Sequence, residues 1–200
     1  MTGTETTGHI VSHMLYLLWK NPAKYQKLIE ELNKNLSIID NINYESLHSL
    51  EYLNGVLKEA LRMVSPAPDN LMRVAIKNHK LGDLLIKKGT AVFAGLIVNS
   101  HDPKIFRNQF DFVPERWIKS HELYDNAEER DPYCYIPFSA GGRSCIGQHL
   151  VGLQAKIILA KFLRKFDFQM KMKEPVRWVA RFVAELEDPV IARLIKKEKI

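Results

Sequence analysis

The sequence predicts a mainly α-helical protein with a minor β-sheet component. Apolar residues recur at helical spacing before residue 63 and after residue 146, and short apolar runs separated by glycine turns lie between them. No internal repeat or low-complexity segment interrupts this order. With 200 residues, 46% of them hydrophobic, the chain suits one ordinary domain with a sizeable core.

Three helices are predicted in the first third of the chain. The first covers residues 1–20, starts without a cap as if continued from upstream, and ends at Asn21-Pro22. Its apolar stripe is Ile10, Met14, Leu17 and Leu18. Pro22 opens the second helix, PAKYQKLIEELNKNL. The third covers about residues 45–63, within YESLHSLEYLNGVLKEALRM. Its leucine stripe is Leu47, Leu50, Leu53, Leu57 and Leu61.

The middle and the end of the chain change character. A small β region is predicted over about residues 72–98, with strands in RVAIK, in residues 80–86 and in TAVFAGLIV. An irregular stretch follows from His101 to Pro137. The last long helix is predicted over about residues 146–166, and C-terminal strands over about residues 177–195. The candidate buried residues of that helix are Leu150, Leu153, Ile157 and Phe162.

Composition excludes several classes of protein. The net charge of +6 is dispersed, without a Lys/Arg stripe interleaved with aromatics, so we expect no nucleic-acid partner. The sequence contains no run of 18 apolar residues, so we expect no membrane-spanning helix in it. Its first residues resemble neither a secretory signal nor a transit peptide. Two cysteines, Cys134 and Cys145, are too few for a disulfide framework, which favours a reducing compartment.

Cys145 lies in the glycine-rich stretch PFSAGGRSCIGQHL, residues 137–150, just before the last long helix. Backbone N–H groups at a helix start stabilise a thiolate, and the glycines let the backbone approach a flat object closely. Three interpretations are open: a buried structural cysteine, a nucleophile that needs a base such as His149, and a thiolate ligand of haem iron. Spacing alone favours the structural cysteine.

The full pattern F-x-x-G-x-R-x-C-x-G changes that interpretation. It is matched by Phe138, Gly141, Arg143, Cys145 and Gly147, and it resembles the haem-binding loop of the cytochrome P-450 superfamily. The resemblance implies haem as cofactor and the Cys145 thiolate as the iron ligand, with these residues and Ile146 against the macrocycle. It also implies that Arg143 binds one haem propionate and that Arg73 binds a second.

Two further motifs agree with this family. GTETT, residues 3–7, resembles the distal-helix stretch above the haem, which implies that Glu5 and Thr6 are the acid–alcohol pair that handles protons. On its own, the same stretch would suit the first turn of any helix. Glu59 and Arg62 in KEALR match E-x-x-R. From spacing alone they form an exposed ion pair, whereas the resemblance implies a buried triad with Arg116 of VPERW.

The match departs from the family pattern at three places. Ser100-His101-Asp102-Pro103 replaces H-R-D-P, Trp117 replaces the phenylalanine of PERF, and Gly142 stands where proline is common. The residues just before Arg73, roughly Asp69 to Met72, would face the substrate. We therefore expect the C-terminal part of the cytochrome P-450 fold, truncated within the long distal (I) helix.

The implied activity is haem-thiolate monooxygenation of a small apolar substrate. Electrons would come from NADPH through a flavin reductase or a ferredoxin that docks on the basic side near Lys161, Arg164 and Lys165. By family analogy the location is the endoplasmic reticulum membrane, reached through a segment that this chain lacks. Two alternatives stay open: a haem-thiolate isomerase or dehydratase acting on hydroperoxides, and a non-catalytic fragment.

Overall fold

The computed structural model describes residues 2–36, 42–67, 72–172, 177–180, 184–186 and 191–197. It is rich in helix with small antiparallel sheets, as predicted. The α-helices are α1 Thr2–Lys20, α2 Pro22–Asn35, α3 Tyr44–His48, α4 Glu51–Met63, α5 Leu96–Ser100, α6 Ala127–Arg130 and α7 Gln148–Lys165. Two short 3-10 helices are Pro114–Trp117 and Gly141–Arg143.

The strands form two-stranded antiparallel pairs. They are β1 Met72–Val74, β2 His79–Leu81, β3 Leu84–Ile86, β4 Ala91–Phe93, β5 Phe166–Lys171, β6 Trp178–Ala180, β7 Ala184–Leu186 and β8 Ile191–Lys196. β1 pairs with β4, β2 with β3, β5 with β8, and β6 with β7. In the longest pair, Phe166 lies opposite Lys196 and Lys171 opposite Ile191.

The core lies where α1, α2, α4 and α7 pack together. The predicted stripe of α1 is confirmed, because Ile10, Met14, Leu17 and Leu18 are all buried. Of the predicted leucine stripe, only Leu57 keeps partial exposure. Burying such stripes removes apolar surface from water, at about 25 cal/mol per Å², and fixes the four helices against one another.

The third predicted helix is two helices, α3 and α4, with a break at Ser49-Leu50. The cause is a tertiary contact. The Glu31 carboxylate of α2 accepts hydrogen bonds from the backbone N–H groups of Tyr52 (2.7 Å) and Leu53 (2.8 Å). These groups lack partners within a helix that starts at Glu51, so Glu31 stabilises a new helix start there.

Two other elements differ from the prediction. Residues 96–98, predicted as strand, belong to α5, since a short apolar run does not distinguish strand from helix. Strand β5, which begins where α7 ends, was not predicted at all. The predicted substrate-facing residues 69–71 lie outside the described residues, and Met72 is exposed at the start of β1.

Helix α7 buries other residues than predicted. The buried set is Ala155, Leu159, Ala160 and Leu163. Leu150 is exposed, and Leu153, Ile157 and Phe162 are only partly buried. Leu150 lines a cavity, which explains why an apolar side chain near the helix start is uncovered. Among the described residues, no helix combines the length and the apolar character needed to cross a bilayer.

Candidate functional site

The cysteine loop, residues 137–147, is held by backbone hydrogen bonds that turn it sharply before α7. The N–H of Cys145 donates to the carbonyl of Phe138 at 2.9 Å, and the N–H of Ser139 donates to Ile136 at 2.9 Å. Gly141 has a φ of 75°, a conformation that favours glycine, and Ser139 adopts a φ of 66° although it carries a side chain. Left-handed backbone at a non-glycine residue often marks a functional loop.

The fold leaves Cys145 exposed at the edge of a cavity. A Cβ on Gly147 would lie 3.8 Å from the Sγ of Cys145, an ordinary contact distance, so Gly147 is the residue directly beside the sulfur. Ile146 is fully exposed, and Arg143 is exposed as well. Among the three chemical interpretations, the buried structural cysteine therefore does not describe Cys145.

The cavity has a volume of about 450 Å³ and lies between α1, α4 and the cysteine loop. Its mostly apolar walls carry few polar groups, as is usual for cofactor and small-molecule sites. The α1 wall includes Thr6, Thr7 and Ile10; α4 supplies Leu57 and Leu61; the loop and α7 supply Phe138, Arg143, Cys145, Ile146, Gly147 and Leu150. Gly141, also predicted as a haem contact, does not line it.

Of the predicted acid–alcohol pair, only Thr6 lines the cavity. Glu5 is exposed and lies outside the lining. Thr7, which sequence reasoning did not single out, is buried in the same wall, and its hydroxyl donates to the carbonyl of Gly3 at 2.6 Å. Such a bond from residue i to i−4 competes with the helical hydrogen bonds. The sequence alone carries no signal that separates Thr7 from the other threonines of GTETT.

Arg73 is not brought to the cavity. It is exposed on β1, it is not among the lining residues, and its Nη1 donates to the carbonyl of the adjacent Met72 at 3.0 Å. The described structure therefore gives one arginine at the cavity, Arg143, where the resemblance implies two.

Glu59, Arg62 and Arg116 are buried and in contact. The Arg62 Nη2 lies 2.9 Å from Glu59 Oε1, and the Arg116 Nε lies 3.0 Å from the same oxygen. Glu59 and Arg62 are fully buried, so the exposed pair that spacing alone suggests is wrong. A buried ion pair needs further hydrogen bonds to offset the loss of hydration.

Backbone carbonyls supply most of those bonds. Arg62 donates to the carbonyls of Ser100 and Gln109, both at 2.7 Å. Arg116 donates to the carbonyl of Arg107 at 2.9 Å. The excess positive charge is also met by Asp125, which is buried and lies 3.7 Å from Arg116 Nη1. Sequence reasoning missed Asp125, because it is nine residues from Arg116 in an irregular segment without periodicity.

Two more residues that sequence reasoning missed contact the Glu59 carboxylate. The backbone N–H of Val113 donates to Oε1 at 3.0 Å, and the indole Nε1 of Trp117 donates to Oε2 at 2.9 Å. In the sequence, Trp117 stands out only as a departure from the family pattern. We call Glu59 with its donors Arg62, Val113, Arg116 and Trp117 the carboxylate centre.

A buried histidine joins α1 to the segment that enters the cavity wall. The Nδ1 of His13 lies 2.9 Å from the carbonyl of Val64, and Ser65, Pro66 and Ala67 continue into the lining. Burial lowers the pKa of His13 to about 4; the hydrogen bond to Val64 opposes this shift, and the charge of the nearby His9 adds to it. His13 is therefore neutral at pH 7, with its Nδ1 as the donor.

The residues present fit a haem group. A haem is flat and apolar, with two carboxylates at one edge and an iron atom that accepts a thiolate. The cavity offers apolar walls, an exposed thiol at Cys145 and a guanidinium at Arg143, with Gly147 beside the sulfur. The other cysteine, Cys134, is buried, and burial followed by the charge of Asp131 raises the pKa of its thiol to about 11.

Comparison with known proteins agrees with this geometry. The family model for cytochrome P450 matches residues 1–184. The probable cytochrome P450 12b2, mitochondrial, of Drosophila melanogaster is 32% identical over 92% of this chain and 35% of its own length. Cytochrome P450 3A2 of Rattus norvegicus is 32% identical over 99% of this chain and 38% of its own. The cytochrome P450 monooxygenase btcC of Colletotrichum orbiculare is 37% identical over 84% and 32%.

These matches cover nearly all of this chain, which spans about a third of the length of the curated relatives. The cysteine loop and the carboxylate centre both lie within the residues that the family model matches. The chain belongs to the cytochrome P450 family.

Proposed function

We propose that the protein to which this chain belongs is a haem-thiolate monooxygenase. It inserts one atom of dioxygen into a small apolar organic substrate and reduces the other atom to water. The observation that supports this most directly is the cavity of about 450 Å³ with Thr6 on the α1 side and Cys145 on the loop side. When bound, haem supplies the redox chemistry that activates dioxygen.

The loop residues would hold the cofactor. We assign iron ligation to the Cys145 thiolate and a propionate contact to Arg143, whose guanidinium suits a carboxylate. Phe138 and Ile146 would cover the apolar macrocycle and exclude water from the sulfur. The same exclusion strengthens every charge interaction inside the cavity.

The α1 residues would handle protons. We assign proton transfer to Thr6, because its side chain lines the cavity on the α1 side, opposite Cys145 on the loop side. Glu5 is exposed, and we assign to it the uptake of protons from solvent and their delivery toward Thr6 through water.

We further propose that NADPH supplies the electrons, through a flavin reductase or a ferredoxin docked on α7. Lys161 and Lys165 are exposed there, while Arg164 donates to the carbonyl of Leu32 at 3.3 Å and so takes part in packing. We expect the endoplasmic reticulum membrane as the location. Measuring the reduction rate with each partner, in wild type and in Lys161→Glu with Lys165→Glu, tests the partner and the docking face.

The reduced carbon-monoxide difference spectrum of the full chain after haem addition tests the proposal. We expect a Soret band shifted to the position typical of thiolate ligation. Cys145→Ser should lose this band, and Cys134→Ser is the matched control that should keep it. A wild-type chain without the thiolate band, or a Cys145→Ser variant that keeps it, would overturn the proposal.

A further inference from the structure

Trp117 connects the carboxylate centre to the segment that enters the cysteine loop. Its Nε1 donates to Glu59 Oε2 at 2.9 Å, and the other donor to that oxygen is the Nε of Arg62 at 3.0 Å. The remaining donors of the centre, from Arg62, Val113 and Arg116, all reach Oε1. Replacing Trp117 by a residue without a donor therefore leaves Oε2 with the Arg62 bond alone in the described structure.

The Trp117 ring packs on Tyr135. The two ring centroids are 4.6 Å apart at an interplanar angle of 48°. The Tyr135 hydroxyl donates to the carbonyl of Lys58 on α4 at 3.1 Å. The Lys58 ammonium lies 4.9 Å from the Trp117 centroid and pairs with Glu128 at 2.7 Å. An aromatic pair, a hydrogen bond and a cation–π contact together fix the position of Tyr135.

The three residues after Tyr135, at positions 136–138, connect it to the hydrogen bonds of the cysteine loop. Ile136 accepts a hydrogen bond from Ser139, and the next residues include Phe138, whose carbonyl accepts the N–H of Cys145. Tyr135 and Phe138 both pack against the main core, so the stretch between them connects two held side chains to the backbone that carries the cysteine. Residues 135–139 are all partly buried, and residues 140–146 are exposed.

We propose that Trp117 is a positioning residue for the thiolate loop. Its indole N–H transmits the fixed position of Glu59 to Tyr135, and through Tyr135 to the Phe138 carbonyl and the Cys145 amide. The role in haem ligation rests on the proposed function, whereas the role in loop positioning does not. An aromatic residue without a donor would keep the packing and lose the connection to Glu59.

Residue-resolved hydrogen exchange of the full chain tests this inference without any cofactor. In Trp117→Phe we expect the Cys145 amide to exchange about tenfold faster than in wild type, as for loss of a hydrogen bond to a charged group. Amides in α2 should keep their wild-type rates. Trp19→Phe is the matched control; Trp19 contacts Tyr16 and Lys20 on α1, and this variant should leave the Cys145 amide unchanged.

Two outcomes would overturn the inference. One is an unchanged Cys145 amide in Trp117→Phe. The other is an equal acceleration in α2 and in the loop, which indicates general destabilisation. If Trp117→Phe does not fold, Tyr135→Phe decides the question, because it removes only the bond to Lys58. We expect its Cys145 amide to exchange about threefold faster, as for loss of a neutral hydrogen bond.

The carbon-monoxide spectrum separates this inference from the proposed function. If wild type shows the thiolate band, a smaller thiolate fraction in Trp117→Phe supports the positioning role, and an equal fraction contradicts it. If wild type lacks the band, the proposed function fails, and the exchange rates still decide whether Trp117 positions the loop.

Discussion

Opposite faces of α4 serve two regions with contrasting physical character. Glu59 and Arg62 point to the carboxylate centre, where charges are buried and paired. Leu57 and Leu61, on the other face by helical geometry, line the cavity beside the exposed Cys145. A single helix therefore joins the buried carboxylate centre to an open apolar site.

The two cysteines show the same contrast. Cys134 is buried in a small cluster with Phe106 and Ala127 beside the carboxylate centre, where its thiol stays protonated. Cys145 is exposed at the cavity. Of the two thiols, the one beside the carboxylate centre is therefore covered by packing, and the one at the cavity is accessible.

The largest expected effect on stability follows from removing the negative charge of the carboxylate centre. Glu59→Gln leaves the guanidinium groups of Arg62 and Arg116 buried with a neutral partner, which should lower the free energy of unfolding by about 3–5 kcal/mol. Urea denaturation followed by circular dichroism measures this loss. A loss below about 1 kcal/mol, the range of an exposed ion pair, would contradict the description of the carboxylate centre as buried.

The next largest effect on stability is expected at Gly55, where the same face of α4 lies close to the backbone of Pro114. A Cβ on Gly55 would lie 2.5 Å from the carbonyl oxygen of Pro114, so Gly55→Ala forces α4 away from the 3-10 helix that carries Arg116. We expect a loss of about 1–3 kcal/mol in the free energy of unfolding, although alanine is the better helix former.

Gly152→Ala is the control for the cavity side of α4, because Gly152 lies on α7 and faces Leu57 of α4. A Cβ there would lie 3.8 Å from Leu57 Cδ2, an ordinary contact distance. The helix propensity of alanine should then raise stability by about 0.5–1 kcal/mol. Equal effects of the two substitutions in thermal denaturation would show that the two faces of α4 are packed alike, contrary to the structure.

Much of this contrast could be predicted from the sequence, because local patterns carry it. The α1 stripe follows helical spacing, and the ten-residue motif identifies Cys145 together with its flanking glycines. What could not be predicted depends on contacts between distant segments. Glu31 starts α4 from another helix, and Asp125 balances Arg116 from an irregular segment. The burial of Glu59, which the family resemblance implies and spacing alone does not, depends on the 113–117 segment covering it. Exposure of Leu150 likewise follows from a cavity that no local pattern encodes.

A pH-dependent contribution to stability is expected next to the carboxylate centre, at Glu115. Burial opposes ionisation of this carboxyl, but hydrogen bonds from Lys24 and Lys27 outweigh burial and lower its pKa from 4.5 to about 2. A lowered carboxyl pKa in the folded state stabilises the protein above pH 4.5, and this contribution disappears as the pH falls toward 2. Urea midpoints measured from pH 5 to pH 2 should therefore fall less steeply in Glu115→Gln than in wild type.

Glu30→Gln provides the control for that measurement, since Glu30 is exposed on the same helix α2 as the two lysines. Its midpoints should follow the wild-type slope over the whole acid range. If Glu115→Gln also follows the wild-type slope, the contact of Glu115 with Lys24 at 2.8 Å does not contribute to acid stability.

The smallest effect on stability is expected at the exposed ion pair between Glu128 and Lys58 of α4. Both side chains keep about two fifths of their surface exposed, at 41% and 42%. Such a pair contributes about 0.2–1 kcal/mol, and salt screens it. Glu128→Gln should therefore lower the free energy of unfolding by less than 1 kcal/mol, and 1 M sodium chloride should abolish the difference from wild type. A loss as large as that in Glu59→Gln would show that charge pairing at this exposed edge stabilises the fold as strongly as charge pairing in the buried centre.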